Sequence, residues 1–284
     1  MKKYELTKET KKLNGVVLHR IRAVRDIVLS DGTVVRKGDL GGWVETDGNL
    51  SHGGNAWVSD AAAVYGSAQV GGKAQVGGSA TVGGKARVGD SAAVFGEASV
   101  SGEASVSGEA RIYGSAQVYG SARVCGSAVV GGKAWVGGSA QVGDKAWVGG
   151  PAAIYDSARI GGSAQIGGSA QVYGEARVRG SAQVYGEAQV YGEAEIYGSA
   201  QIGGSARVSG ETDYAVYRNT WSSMRHFTYT RSDRMWQVGC FRGTGAELIA
   251  KAYRDGKLSG RCYEAIVRAQ ETIDGTVEGK EAKR

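Results

Sequence analysis

The chain has 284 residues and a formal net charge of +6, with the basic excess at its two ends, because residues 56–210 hold 11 basic and 11 acidic side chains. This distribution lacks the dense basic stripe of a nucleic-acid-binding protein, so no nucleic-acid partner is expected. The 48 glycines and single proline, without a collagen period, favour regular turns over disorder. No run of about 18 apolar residues is present, so no membrane-spanning segment is expected.

The first twelve residues, MKKYELTKETKK, are basic but lack the apolar segment of a signal peptide. The three cysteines, Cys125, Cys240 and Cys262, are too few and too scattered for a disulfide framework or a zinc site. These features predict a cytoplasmic protein with no bound metal or cofactor.

The N-terminal segment, residues 1–55, is predicted to form a small β cap. Val16–Val24 and Asp26–Arg36 have the composition of strands, and Ser30, Asp31 and Gly32 have that of a turn within the second one.

A six-residue repeat, A-x-V-x-G-x, then occupies residues 56–210. From Val58 to Val208 every sixth residue is Val or Ile, which makes 26 positions without a break. An Ala precedes each of them by two residues, so Ala and Val share one face of a short strand. Two residues after each lies Gly or Asp, which predicts a backbone site of positive φ. A short strand and a left-handed corner every six residues must turn in one sense and stack as parallel strands.

The repeat resembles the left-handed β-helix family of hexapeptide-repeat proteins, of which the segment Val118–Arg123 is a typical unit. The resemblance implies a triangular prism with three hexads per coil and about 8–9 coils, roughly 40 Å long at the spacing of parallel strands. It also implies a homo-oligomer, with a trimer favoured. The fold class predicted is mainly β, with this left-handed parallel β-helix between the N-terminal β cap and a C-terminal α+β domain.

The C-terminal segment, residues 211–284, is predicted to be that small α+β domain with a polar tail. His226–Thr230 and Met235–Phe241 have the pattern of a hairpin. Thr244 to Glu247 is a capping box that opens a helix through Arg254, and a second helix is predicted from Ser259 through Glu271. The tail, residues 274–284, is predicted to fray.

The whole arrangement is similar to a group of uncharacterised proteins encoded by bacteriophages and prophages. The similarity implies the host cell cytoplasm as the location and a host protein as a candidate partner. It brings no established activity.

The known enzymes of the hexapeptide-repeat family are acyltransferases with a His general base and carbonic anhydrases with three His ligands. In this chain the repeats contain no histidine: His19 and His52 precede them and His226 follows. A general base must lie within hydrogen-bond reach of the proton that it takes, so neither chemistry is assigned to a residue here. No catalytic or metal-binding residue is predicted.

Outward residues 18 apart are predicted to form columns along the prism. Tyr155, Tyr173 and Tyr191 lie in one column on successive coils, and Tyr65 and Tyr119 belong to it farther away. The column is predicted to be either a binding or oligomerising face or a set of ordinary cross-strand pairs. A second column contains Phe95 and Tyr113. A third, Arg87, Arg123, Arg159 and Arg177 with Gln141 and Glu195, is predicted to be a solvated face.

The C-terminal segment is predicted to carry the recognition surface, because Trp and Arg often supply the binding energy at interface centres. The candidate residues are Arg231, Arg234, Trp236 and Arg242. An alternative for Trp236 is that it packs the hairpin onto the helix. The run Gly243-Thr244-Gly245 is either an anion site or a helix cap.

The function predicted is that of a non-enzymatic structural or interaction protein in which a rigid β-helix spaces two small domains. Two alternatives remain open at this point. One is an acyltransferase-like enzyme, and the other is a counter-defence binding module that captures a host protein or a small anionic ligand.

Overall fold

The computed structural model describes the backbone of residues 2–281 and the side chains of residues 2–276. The predicted fold class is confirmed: the chain is mainly β, a parallel solenoid of about nine coils followed by a small region of sheet and helix. The Ala and Val or Ile residues of the repeat fill the solenoid interior with exposures of 0–3%. Because each coil has 18 residues, strands 18 apart pair in register, as Val118 does with Val136.

The 26 hexads form 26 two-residue strands, β6 to β31, in three parallel sheets. The twelve-stranded sheet contains β7 Ala63–Val64, β10 Thr81–Val82, β13 Ser99–Val100, β16 Gln117–Val118, β19 Trp135–Val136, β22 Ala153–Ile154, β25 Gln171–Val172, β28 Gln189–Val190 and β31 Arg207–Val208. The eight-stranded sheet contains β8 Gln69–Val70, β11 Arg87–Val88, β14 Ser105–Val106, β17 Arg123–Val124, β20 Gln141–Val142, β23 Arg159–Ile160, β26 Arg177–Val178 and β29 Glu195–Ile196. The nine-stranded sheet contains β6 Trp57–Val58, β9 Gln75–Val76, β12 Ala93–Val94, β15 Arg111–Ile112, β18 Val129–Val130, β21 Trp147–Val148, β24 Gln165–Ile166, β27 Gln183–Val184 and β30 Gln201–Ile202.

The corners have the predicted left-handed backbone. At every Gly or Asp position from Asp60 to Gly204, φ lies between +53° and +74°. The four Asp residues there do more than tolerate this conformation. Each accepts a hydrogen bond from the backbone N–H 18 residues later, at 2.7–3.1 Å, so it ties one coil to the next. These residues are Asp60, Asp90, Asp144 and Asp156.

The N-terminal cap consists of five strands, three of which extend the twelve-stranded sheet. The strands are β1 Tyr4–Leu13, β2 Val16–Ala23, β3 Ile27–Val28, β4 Val34–Val35 and β5 Leu40–Val44. The structure supports the predicted strand at Val16–Val24, but the prediction missed its antiparallel partner β1. The predicted stretch Asp26–Arg36 contains the predicted turn at Ser30, Asp31 and Gly32, and its strand residues are limited to the short antiparallel pair β3 and β4.

The two ends of the solenoid need opposite kinds of cap. Each coil donates its N–H groups to carbonyls of the following coil, as Gln141 does to Ala158 at 2.9 Å. The first coil is therefore left with free carbonyls and the last coil with free N–H groups, and unpaired edges of this kind invite aggregation.

The N-terminal cap supplies donors to the first coil. Backbone N–H groups of β5 reach its carbonyls, and a 3₁₀ turn, Asp47–Asn49, adds the Asn49 amide, which donates to Gly66 and Ala68 at 3.0 and 2.9 Å. The Lys3 ammonium, fully buried, donates to the carbonyl of Ala56 at 2.6 Å.

The buried Lys3 gives the N-terminal cap a pH dependence. Burial, followed by the charge of Arg25, lowers the pKa of Lys3 to about 8 from an ordinary value of 10.5. The unfolded chain therefore keeps this proton up to a higher pH than the folded chain, so the contribution of Lys3 to stability rises as pH rises from about 8 to 10.5. Between pH 7 and 10.5, we expect the free energy of unfolding of the wild type to rise by about 3 kcal/mol more than that of the Lys3→Met variant. Chemical denaturation at several pH values measures this difference, with the exposed Lys2→Met as the control. Parallel curves for wild type and Lys3→Met would contradict it.

The C-terminal region supplies acceptors to the last coil. A second 3₁₀ turn, Glu211–Asp213, leads into a four-stranded antiparallel sheet of β32 Tyr214–Arg218, β33 His226–Thr230, β34 Met235–Val238 and β35 Phe241–Gly243. The Thr228 hydroxyl accepts the N–H of Gln201 at 2.9 Å, and the Ser232 hydroxyl accepts that of Arg207 at 2.7 Å.

Two helices, α1 Gly245–Asp255 and α2 Lys257–Glu281, pack on this sheet. The structure contains the predicted hairpin and first helix, and Thr244 and Glu247 form the capping box. Glu247 therefore occupies the helix start, and the helix-cap alternative for Gly243-Thr244-Gly245 fits the structure. The predicted frayed tail was wrong for residues 274–281, which continue α2; residues 282–284 lie outside the described part of the chain. Among residues 2–281, neither helix is long and apolar enough to cross a membrane.

Candidate functional site

An aromatic face runs along the twelve-stranded sheet and consists of Tyr119, Trp135, Tyr155, Tyr173 and Tyr191. The rings of Tyr155 and Tyr173 stack with centroids 4.9 Å apart, and those of Tyr173 and Tyr191 stack at 5.3 Å. Trp135 and Tyr119 extend this surface over the preceding coils, with 51% and 36% of their surface exposed. The tyrosines thus make the predicted cross-strand pairs and at the same time stay partly exposed.

Several aromatic rings pack directly against a glycine, whose missing side chain leaves room for the ring. The Tyr119 ring lies flat over Gly137, which it buries, and an added Cβ there would come within 2.2 Å of its Cζ. Five other ring and glycine pairs repeat the arrangement: Tyr65 and Gly83, Phe95 and Gly77, Tyr113 and Gly131, Trp147 and Gly149, and Tyr185 and Gly203. These glycines have ordinary φ values, so their role is to make room rather than to turn the chain.

The hydroxyl of Tyr155, at one end of the stack, has a pKa that the packing alters. Burial against its neighbours, together with the nearby Tyr173, Asp156 and Tyr119, raises the pKa of Tyr155. Its hydroxyl lies 3.4 Å from the amide oxygen of Gln171, to which it donates.

The predicted arginine column lies on the eight-stranded sheet, beside an open groove of about 570 Å³. The groove, called the arginine groove below, is lined by the polar residues Arg123, Gln141, Asp144, Arg159, Arg177 and Arg179, together with Cys125, Gly143 and Gly161. Arg177 and Arg179 both contact the carboxylate of Glu195, at 2.5 and 3.2 Å. That carboxylate accordingly has a lowered pKa, first because of its hydrogen bond with Arg177.

The predicted C-terminal binding residues are placed mainly in internal contacts. Trp236 is 2% exposed, and its ring lies 5.0 Å from that of Tyr229 and 5.9 Å from that of Phe227. This position fits the packing alternative for Trp236. Arg234 lies in the turn between β33 and β34 with φ of +52°, and it lines a cavity of about 390 Å³ beside the start of α1.

Arg231 and Arg242 each hold two elements together. The Nε of Arg231 contacts Asp274 of α2 at 3.2 Å. Arg242 contacts Asp233 at 2.5 Å and donates to the carbonyl of Gly203 at 3.3 Å, so it joins the C-terminal sheet to the last coil. Sequence reasoning found these arginines because of their density but could not find their carboxylate partners.

Asp274 is a buried carboxylate that sequence reasoning assigned to the tail. It is 6% exposed and accepts hydrogen bonds from the hydroxyl of Tyr229, from Arg231 and from the Gln270 amide, the last at 2.9 Å. The spacing of Gln270 and Asp274 on one helix face was the available signal. Trp135 and Trp147 were also missed, because the aromatic columns were followed only at the residue after each Val or Ile.

The histidines lie outside the coils, and their surroundings are structural. The His52 ring stacks on Tyr4 at 4.4 Å, its Nδ1 lies 3.3 Å from the backbone N of Lys3, and its Nε2 lies 3.1 Å from Asp47. His19 lies in β2, and His226 is exposed in β33. Within the described residues, no three His, Cys, Asp or Glu side chains are grouped as a metal ion would require.

The repeat and the stacked coils define a parallel β-solenoid of hexapeptide repeats. A family model described as the YdcK β-solenoid repeat matches residues 116–132 and 170–186. Among solved structures, LpxA from Acinetobacter baumannii is similar at 12% identity over 64% of this chain and 72% of that one, with a TM-score of 0.25. No curated protein matches the sequence.

Proposed function

We propose that the chain is a non-enzymatic scaffold that self-associates through the aromatic face. The observation that carries this proposal is the continuity of that face, whose rings lie on one sheet over the successive coils from Tyr119 to Tyr191. Contiguous exposed apolar surface of this kind marks an interaction site, and Trp and Tyr are enriched at such interfaces.

The geometry of the solenoid favours a second copy of the chain as the occupant of the aromatic face. A parallel sheet in constant register is flat along its axis, so the same face on another copy can lie against it over several coils. Gln117, Gln171 and Gln189 line the face beside the rings and offer amides that can pair with their equivalents. The resemblance to hexapeptide-repeat proteins makes a trimer of 29.5 kDa chains the assembly that we propose.

In this proposal the solenoid carries the interaction and the C-terminal region is chiefly a cap. Arg231 and Arg242 support that assignment because their ion pairs are internal, and Trp236 supports it because it is buried. An acyltransferase-like activity remains the rival proposal. It would need a base other than a coil histidine, since residues 56–210 contain none, and both ring nitrogens of His52 already have partners.

Two exposed tryptophans on different sheets provide a matched test of self-association. Trp135→Ser removes a ring from the aromatic face, whereas Trp147→Ser removes one from the nine-stranded sheet. We expect Trp135→Ser to weaken association by roughly 2 kcal/mol, as loss of a central aromatic does at an interface, and Trp147→Ser to leave it unchanged. Sedimentation equilibrium over a concentration series measures both. Equal behaviour of the two variants, or turnover of acyl-CoA by the wild type, would overturn the proposal.

A further inference from the structure

We propose that the arginine groove binds a small organic molecule carrying two phosphate groups. The site lies on the eight-stranded sheet, so it is distinct from the aromatic face and does not depend on self-association. Four arginines and no lysine line the groove, and a planar guanidinium is suited to bidentate contacts with phosphate.

The groove holds four arginines and one carboxylate, that of Asp144, and two of the arginines, Arg177 and Arg179, are paired with Glu195. Within the described residues, the side chains of Arg123 and Arg159 make no hydrogen bond or ion pair, and both residues are exposed. Arg159 also pairs in register with Arg177 on the neighbouring strand, and like charges placed opposite each other destabilise a sheet. Glu195 compensates the charges of Arg177 and Arg179, and an anion above Arg159 would likewise compensate the charge of Arg159.

The floor of the groove is left open, in contrast to the other two sheets. There, glycines beside the strands are buried under aromatic rings, as Gly137 is under Tyr119 and Gly149 is under Trp147. Gly143 and Gly161 of the groove have no ring over them and are only partly buried. A Cβ added at Gly161 would meet the Asp144 carboxylate at 3.0 Å, whereas one added at Gly143 would meet the Cys125 Sγ at 3.4 Å. A ligand can therefore approach the backbone at Gly143, between Arg123 and Arg159.

The spacing of the arginines sets the size of the ligand. Arg123 and Arg159 are separated by one strand, that of Gln141, so their backbones lie about 10 Å apart. The Gln141 amide between them can hydrogen-bond to the middle of a ligand that spans both. The arginine groove spans only the four strands from Arg123 to Arg177, a length suited to a small molecule rather than to a long polymer.

Calorimetric titration of the full-length protein with fructose 1,6-bisphosphate as the probe tests the site, and glucose 6-phosphate is the comparison with a single phosphate. We expect the bisphosphate to bind at least about tenfold more tightly than the monophosphate. Arg123→Gln combined with Arg159→Gln should weaken bisphosphate binding by at least about tenfold. Arg87→Gln, on the same sheet but outside the groove, should leave it unchanged.

Both variants alter exposed side chains, and unchanged melting temperatures would verify their folding. Absence of bisphosphate binding, equal binding of the two sugars, or unaltered binding by the double variant would each overturn the proposal. Tighter binding of a short single-stranded oligonucleotide, weakened also by Arg87→Gln, would overturn it in favour of a nucleic-acid surface. None of these outcomes bears on self-association, which sedimentation measures separately.

Discussion

Gly138→Val is expected to destabilise the solenoid by roughly 3–5 kcal/mol, from the sum of backbone strain and overpacking. Gly138 is a corner residue with φ of +62°, a conformation that a β-branched side chain rarely adopts. A Cβ at this position would also lie 2.8 Å from the backbone N and 2.9 Å from the backbone O of Asp156 on the next coil. Neither atom can move without disturbing the ladder between coils. Thermal and chemical denaturation measure the loss.

The preceding residue provides the control for Gly138→Val. Gly137 lacks a positive φ, and the atoms that a Cβ would meet there belong to the Tyr119 ring, which can swing away. Gly137→Ala should therefore cost no more than about 1.5 kcal/mol, the range of a tolerated volume change. If the two substitutions cost the same, the corner geometry would not be what fixes glycine in the repeat.

Asp274→Ala is expected to destabilise the C-terminal region by about 3–5 kcal/mol, the usual cost of removing one partner from a buried ion pair. Its carboxylate joins α2 to the sheet through Tyr229 and Arg231. Without it, the Arg231 guanidinium, which is 19% exposed, would lose its only ion-pair partner in the described part of the chain. Near-ultraviolet circular dichroism of the packed Trp236 should report early melting of this region, while far-ultraviolet signals follow the solenoid.

Glu271→Ala on the same helix is the control for Asp274→Ala. Glu271 is exposed and pairs with Arg268 three residues away, an arrangement worth about 0.5 kcal/mol or less. A similar loss of stability in the two variants would show that helix propensity, and not the buried carboxylate, determines the effect.

The solenoid could be predicted from sequence because each rule of the repeat has one physical cause. The interior admits only Ala beside Val or Ile, and the corner admits only Gly or Asp. Because this pattern recurs 26 times without a break, it is compatible with one fold only. The hydrogen bond from each corner Asp could not be predicted in the same way. It depends on the backbone N–H of a residue 18 positions later, which becomes a neighbour only once the coil length is fixed.

The caps were harder to predict because their sequences lack periodicity. Strand β1, YELTKETKKL, has many charged residues and few apolar ones, and it becomes a strand because β2 pairs with it. Tertiary pairing here overrides a weak local preference. The burial of Lys3 and Asp274 was missed for the same reason. Charged side chains are predicted to be exposed, and only the folded chain brings Lys3 to a backbone carbonyl and Asp274 to an arginine.

The features of the candidate site that follow from the six-residue period were predicted. Those that depend on ion pairs between residues distant in the chain were missed. The column Tyr155, Tyr173 and Tyr191 follows from spacing alone, and its rings stack. The density of Arg231 and Arg242 suggested a recognition surface, but density does not show that Asp274 and Asp233 lie opposite them. Those carboxylates are 43 and 9 residues away in the chain, which no local pattern connects.

Hydroxyl-radical footprinting of the wild type at increasing protein concentration tests the central proposal most directly. In the single chain Trp135 is 51% exposed and Trp147 is 39% exposed, so both react when the protein is dilute. Association through the aromatic face predicts that Trp135 becomes protected as concentration rises, whereas Trp147 stays reactive and serves as the internal control. Equal reactivity of the two tryptophans at every concentration, or protection of Trp147 alone, would contradict the proposal.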